Sequence, residues 1–149
     1  MDVLTPEQRH KNMSQIRSKD TKPEVWLRKT LFREGYRYRK NTSIVPGHPD
    51  LWLRKYNTAI FVHGCFWHRH SNCKYASVPK TRVDFWTEKF RKNVERDIRV
   101  EEELKTENIK TLIVWECTVK QMRKDTHIYE KVLKEIERFL VSDEQHKEL

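Results

Sequence analysis

The chain has 149 residues, enough for one compact domain and too few for two independent cores. Apolar and charged residues each make up 36%, so a lean interior lies under a heavily ionised surface, with six Phe, five Tyr and five Trp supplying large buried areas. A net charge of +9 points to a polyanionic partner, nucleic acid first, and three Gly and five Pro with periodic apolar segments exclude a disordered chain.

Thr5-Pro6-Glu7 is a helix-start signal, and Met13 and Ile16 give it a narrow apolar stripe, so residues 1–20 are expected to form a basic N-terminal arm. A second start at Thr21-Lys22-Pro23-Glu24 opens a core helix whose apolar face is Val25, Leu27, Leu31 and Phe32, stopped at Gly35. Tyr36 and Tyr38 then alternate with arginines. Ile44-Val45 leads into the turn Pro46-Gly47-His48-Pro49, and Asp50-Leu51-Trp52-Leu53 resumes an extended run. Thr58 to Val62 reads as a buried strand, which makes three strands in a meander.

Residues Gly64 to Thr81 form a long connection rich in ligand-type side chains. A long helix is expected from Asp84 to Glu107, with Trp86, Phe90, Val94 and Ile98 as an apolar stripe that Leu104 extends. Thr111 to Trp115 is a short apolar strand reached by that crossover helix. Ile128, Val132, Ile136 and Leu140 mark a C-terminal helix, and residues 142–149 are expected to fray. The predicted class is α/β, one domain over 1–149. No apolar stretch reaches the roughly 20 residues of a membrane span, and the N-terminus has no secretory pattern, so a cytoplasmic protein with reduced cysteines is expected.

The chemistry concentrates in His63-Gly64-Cys65-Phe66-Trp67-His68-Arg69-His70-Ser71-Asn72-Cys73. Cys65, His70 and Cys73, with Cys117 at the end of the last strand, supply a tetrahedral Cys₃His zinc set with no open position for water, hence a structural site. The spacing leaves open whether His68 or His70 is the fourth ligand. The histidine outside the set can act as a general base near neutral pH, and His63 can donate to phosphate. Asp50 offers hard oxygen to a divalent cation such as Mg²⁺, though an aspartate at a strand start commonly serves only local hydrogen bonds. Phe66 and Trp67 lie in a loop among basic residues, where rings stack on bases or wedge between them. Trp86 is a third such ring, with Lys89 and Asn93 on its helical face.

The string PGHPDLWLRKYNTAIFVHGCFWHRHSNC, followed by TRVDFWTEKFRKNVERD and LIVWEC and preceded by KNMSQIRSKDTKPE, resembles the very-short-patch-repair (Vsr) family of DNA mismatch endonucleases over about residues 11 to 117. The resemblance implies a restriction-endonuclease-like (PD-(D/E)xK-type) mixed sheet flanked by helices, a structural Zn²⁺, and Mg²⁺-dependent nicking of one strand 5′ to the thymine of a T:G mismatch left by 5-methylcytosine deamination. It implies that Asp50 and the main-chain carbonyl of Val62 bind Mg²⁺, that His68 is the general base, that His63 contacts phosphate, and that Glu24 is an acidic residue of the catalytic centre. The implied zinc ligands are Cys65, His70, Cys73 and Cys117. The implied DNA contacts are Met13, Phe66, Trp67, Trp86, Lys89 and Asn93. Three positions depart from the family pattern: Val62 stands for a threonine, His48 for the arginine of PGRPD, and the His70 to Cys73 segment is one residue longer. The expected substrate is double-stranded DNA carrying a T:G mismatch, cut by a monomer that acts beside other repair proteins. Two rivals are a nickase on matched DNA and a non-catalytic, zinc-stapled DNA-binding module.

Overall fold

The structure is a computed structural model that describes residues 20–149; all of the expected arm over 1–20 except Asp20, Met13 included, lies outside the described residues. Helix α1 spans Lys22–Arg33, with Thr21 as an extended N-cap residue and proline in its first turn. It is followed by β1 (Arg39–Lys40), β2 (Leu51–Leu53), a 3₁₀ turn (Arg54–Tyr56) and β3 (Thr58–His63). Helix α2 (Val83–Thr106) crosses to β4 (Lys110–Trp115), and α3 (Glu116–Lys124), α4 (Thr126–Val141) and β5 (His146–Glu148) complete the chain. The five strands lie in the order β1-β2-β3-β4-β5. The first three are antiparallel, and β3, β4 and β5 run parallel. Among the described residues no helix is long and apolar enough to cross a membrane.

Period-two alternation divides the sheet into two apolar faces. Leu51, Leu53, Ile60, Leu112 and Val114 face α1, α3 and α4 and pack with Leu27, Leu31, Val119, Met122, Ile136 and Phe139. Ala59, Phe61, Ile113 and Trp115 face the other way and meet Val45, Cys65, Leu104 and Val100. This second face carries the loop and α2. Gly47, at φ +83° in the Pro46 to Pro49 turn, lies so close under α2 that an added Cβ would come 2.3 Å from Val100 Cγ1.

Several expectations are corrected. The buried face of α1 holds Glu24, Arg28 and Thr30 beside Leu27 and Leu31, whereas Phe32 is 52% exposed. The expected stripe of α2 is not a core stripe, since only Trp86 and Leu104 are buried and Ile98 is 52% exposed. Its C-terminal end packs on the sheet, while its N-terminal half leans over the Gly64 to Thr81 loop. Helix α3 had no sequence signal, and Cys117 lies in its first turn rather than on a strand.

The frayed tail is the largest correction. Residues His146–Glu148 add a parallel strand to β4, the Leu149 N–H donates to Ile113 O at 2.9 Å, and the Trp115 N–H donates to Leu149 O at 2.9 Å. Without them the outer edge of β4 would present unpaired backbone groups. The turn into β5 is anchored by Lys110, whose Nζ donates to the carbonyls of Phe139, Leu140 and Ser142 at 2.6, 3.1 and 2.7 Å. Ending the chain at Ser142 is therefore expected to cost about 2 kcal/mol and to lower the melting temperature of the metal-replete protein by roughly 4–8 °C. A circular-dichroism melt identical to that of the full chain would show that β5 holds nothing.

Candidate active site and metal centre

Both centres lie where β3 ends. Asp50 precedes β2, and its Oδ2 accepts the Val62 N–H of β3 at 2.6 Å. In an extended strand a residue's N–H and C=O leave the same edge, so the Val62 carbonyl is directed toward this carboxylate as well. Glu24, 2% exposed on α1, hydrogen-bonds to Asp50, and its Oε2 accepts the Asp20 N–H at 2.7 Å. Arg28 lies one turn behind, 3.5 Å from Glu24 Oε2 and 2.8 Å from Asp20 Oδ1. Burial, and then the facing carboxyl of Glu24, push the Asp50 carboxyl up to about 8. Two carboxyls held together keep a proton between them at neutral pH. A set of hard oxygens with surplus negative charge is the donor chemistry that suits Mg²⁺.

His63 ends β3 and is 8% exposed; burial, and then the neighbouring His68, push its imidazole down to about 3, so it is neutral. The ring of His68 stacks on it at 3.8 Å with planes 4° apart. His68 Nδ1 hydrogen-bonds to Asp97 Oδ2 of α2 at 2.6 Å. With Nδ1–H held by the carboxylate, Nε2 is the nitrogen left to accept a proton. Glu24, Asp50, His63, His68 and Asp97 line one cleft of about 850 Å³, together with Lys89. Donor atoms of His63, His68 and Asp97 also approach one another. Parallel stacked rings, however, carry their in-plane lone pairs in two separate planes that cannot converge on one ion. The arrangement suits proton transfer rather than ligation.

The second cluster sits on the opposite side of Gly64. Parallel pairing sets His63 of β3 against Trp115 of β4, so Cys65 and Cys117, each two residues further on, emerge side by side. Donor atoms of Cys65, His70, Cys73 and Cys117 all lie within 4.8 Å of one another, and Cys117 Sγ is 3.4 Å from His70 Nδ1. The His70 ring stacks on Trp115 at 4.1 Å, and Trp115 Nε1 donates to Glu148 Oε1 at 3.0 Å. Burial pushes the Cys65 thiol up to about 12. Burial raises Cys117 as well, whereas at Cys73 the effect of burial is outweighed by hydrogen bonds from the Tyr75 backbone and the neighbouring thiols, which lower it; this soft donor set matches tetrahedral Zn²⁺. The structure thus groups His70 with the cysteines and His68 with Asp97, the choice that spacing left open.

The aromatic residues form a cluster between the loop and α2. Phe66 meets Trp67, Trp86 and Phe90 at 5.1, 5.5 and 5.1 Å, and Arg69 caps Phe90 at 4.0 Å. Trp86 is 8% exposed, whereas Phe66 and Trp67 reach the cleft. Asn93 donates to the Trp67 carbonyl at 3.2 Å and so holds the loop, while Lys89 is exposed. Asp97 escaped sequence reasoning. It lies one helical turn beyond Asn93, but a single aspartate in so highly charged a helix carries no signal of its own.

The carboxyl pair has a measurable cost. Asp50 is protonated in folded and unfolded chains below about pH 4; between there and about pH 8 the unfolded chain releases a proton that the native state retains, so metal-free stability falls as pH rises. Asp50→Asn should therefore raise the melting temperature by roughly a few degrees at pH 8 and little at pH 5. A variant melting below wild type at pH 8 without divalent cations contradicts this reading.

Comparisons with known proteins place the chain among endonucleases. The family model described as DNA mismatch endonuclease Vsr matches residues 1–74. The type II nicking enzyme V.NmeAIP of Neisseria meningitidis is 50% identical over 119 residues, 80% of this chain and 84% of that protein. The DNA mismatch endonuclease Vsr of Escherichia coli is 42% identical over 125 residues, 84% of this chain and 80% of that protein. The type II nicking enzyme V.XorIIP of Xanthomonas oryzae is 40% identical over 121 residues, 81% and 88% of the two chains. With relatives this similar along most of both chains, the protein belongs to the Vsr family of endonucleases.

Proposed function

We propose that this endonuclease nicks one strand of duplex DNA 5′ to the thymine of a T:G mismatch, acting as a Mg²⁺-dependent monomer on a restriction-endonuclease-like core. The observation that carries the reading is the convergence, in one cleft, of the Asp50 and Glu24 carboxyls with a histidine whose far nitrogen is held by Asp97. Mg²⁺ held by Asp50, Glu24 and the Val62 carbonyl would neutralise charge on the scissile phosphate. His68 Nε2 takes the proton from the attacking water, and Asp97 stabilises the imidazolium that results. His63, neutral and stacked on His68, donates a hydrogen bond to a phosphate oxygen and blocks rotation of the His68 ring. Inversion at phosphorus leaves a 5′-phosphate and a 3′-hydroxyl.

Phe66 and Trp67, with Trp86 behind them, supply the wedge for mismatch recognition. Unstacking a base step costs a few kcal/mol, less where pairing is already poor, so a wedge discriminates by the distortion it needs. Lys89 contacts the backbone, and Asn93 fixes the loop that carries the wedge. Cys65, His70, Cys73 and Cys117 would hold a Zn²⁺ ion, which would fasten that loop to the sheet. Two of the relatives are named type II nicking enzymes, which fits one alternative, a nickase that cuts matched DNA.

Nicking of end-labelled T:G and T:A duplexes, with and without added Mg²⁺, decides between them. The expected result is cleavage of the T strand of the T:G duplex alone, and only with Mg²⁺. Equal cutting of both duplexes would support the alternative, and cutting without any divalent cation would contradict the metal reading. His68→Ala should lower turnover by about 10²–10⁴ with DNA affinity retained. Asp97→Asn should lower it through the wrong tautomer, and wild-type rates in either variant would remove the dyad from the mechanism.

A further inference from the structure

A second concave surface adjoins the catalytic cleft. The groove between α1 and β1, about 460 Å³, is lined by Arg28, Lys29, Phe32, Arg37, Tyr38 and Lys40, with no acidic residue in its walls. Lys29, Arg37 and Lys40 are exposed, and none forms an ion pair among the described residues. Asp20, whose carboxyl feels the charge of Lys40, is already engaged by Arg28 at 2.8 Å and by Asn41 at 3.1 Å. Arg37 is pre-set: its guanidinium lies 4.1 Å over the Phe32 ring and donates to the carbonyls of Phe32 and Tyr36. Beneath the groove, Arg28 is 6% exposed and ion-paired, through Nη2 to Asp20 at 2.8 Å and through Nη1 to Glu24 at 3.5 Å, so it is not one of the free cations.

Lys29, Arg37 and Lys40 thus put three positive charges on one wall with no acidic side chain lining the groove. Fixed positive charge of this kind attracts a polyanion that follows the wall. The groove shares α1 with the cleft: the helix carries Glu24 into the cleft and Lys29, five residues later and about 140° round the helix, into the groove.

We propose that the α1–β1 groove binds backbone phosphates of the duplex beyond the scissile one, with Lys29, Arg37 and Lys40 as the contacts. The inference rests on DNA being the substrate of the adjoining cleft. Contacts of this kind are sequence-independent and contribute affinity rather than mismatch choice.

The test is the triple variant Lys29→Gln, Arg37→Gln, Lys40→Gln, all surface positions, compared with wild type by fluorescence anisotropy on a T:G duplex between about 50 and 200 mM salt, a range in which counterion release dominates. Each lost phosphate contact should reduce the slope of log affinity against log salt by about 0.9, so the triple variant should lose roughly two to three units of slope. Affinity should fall at least tenfold at the low-salt end, with the nicking rate at saturating DNA and the T:G preference unchanged. A control triple, Lys105→Gln, Lys131→Gln, Lys134→Gln, makes the same change in net charge elsewhere and should leave the slope near wild type. Identical slopes for wild type and the groove variant, or equal losses in both triples, would overturn the proposal. If instead wild type neither binds nor cuts the duplex, it is the functional reading that fails.

Discussion

The parallel pairing of β3 with β4, in the register that sets His63 opposite Trp115, is the constraint on which the rest depends. It ends two buried strands at the same level, so the residues that follow them share one location. From one strand come His63, Cys65 and the loop, from the other Trp115 and Cys117. The two centres are consequently mechanical neighbours. Trp115 touches the His63 ring edge-on at 5.3 Å and stacks on His70 with its other contact surface, and β5 fixes the indole through Glu148. A sheet edge far along the chain thus supports the geometry of a proton-transfer group.

The site concentrates unfavourable interactions that a purely structural protein would avoid. Two carboxyls share one buried space, an imidazole is kept neutral, and thiols crowd together. Under the proposed function each would be offset by a ligand: a hard divalent cation for the oxygens, a phosphate for the imidazole, a soft cation for the sulfurs. The dyad of His68 and Asp97 differs, being fully satisfied internally at 2.6 Å, as a base that must hold one tautomer requires.

The strands that frame the site are legible because their apolar runs, Thr58 to Val62 and Thr111 to Trp115, are continuous and buried on both faces. The Cys₃His group could be read as ligand arithmetic, and Asp50 and Glu24 followed from family likeness. Less was visible where a side chain's role depends on a distant partner. Asp97 matters only because the loop folds His68 back onto α2, and no local pattern encodes that return. The tail has low hydropathy and no period, so β5 emerges only from the unpaired edge of β4 that it satisfies. The period-four residues of α2 resembled a core stripe because aromatic residues packing on a loop have the same spacing as those packing on a sheet. In α1 the buried Glu24 and Arg28 interrupt the apolar face, which is how a functional pair appears in a pattern tuned to hydrophobicity.

The central claim is that a metal-stapled loop carries the general base to the carboxyl pair. X-ray absorption at the zinc edge of the purified protein, read beside nicking before and after removal of that metal, tests it most directly. The account predicts one zinc per chain with three sulfur and one nitrogen neighbours, and loss of T:G nicking together with loosening of the loop when the zinc is withdrawn, restored on its return. A zinc-free chain that keeps its fold and cuts at the full rate with Mg²⁺ alone would contradict it.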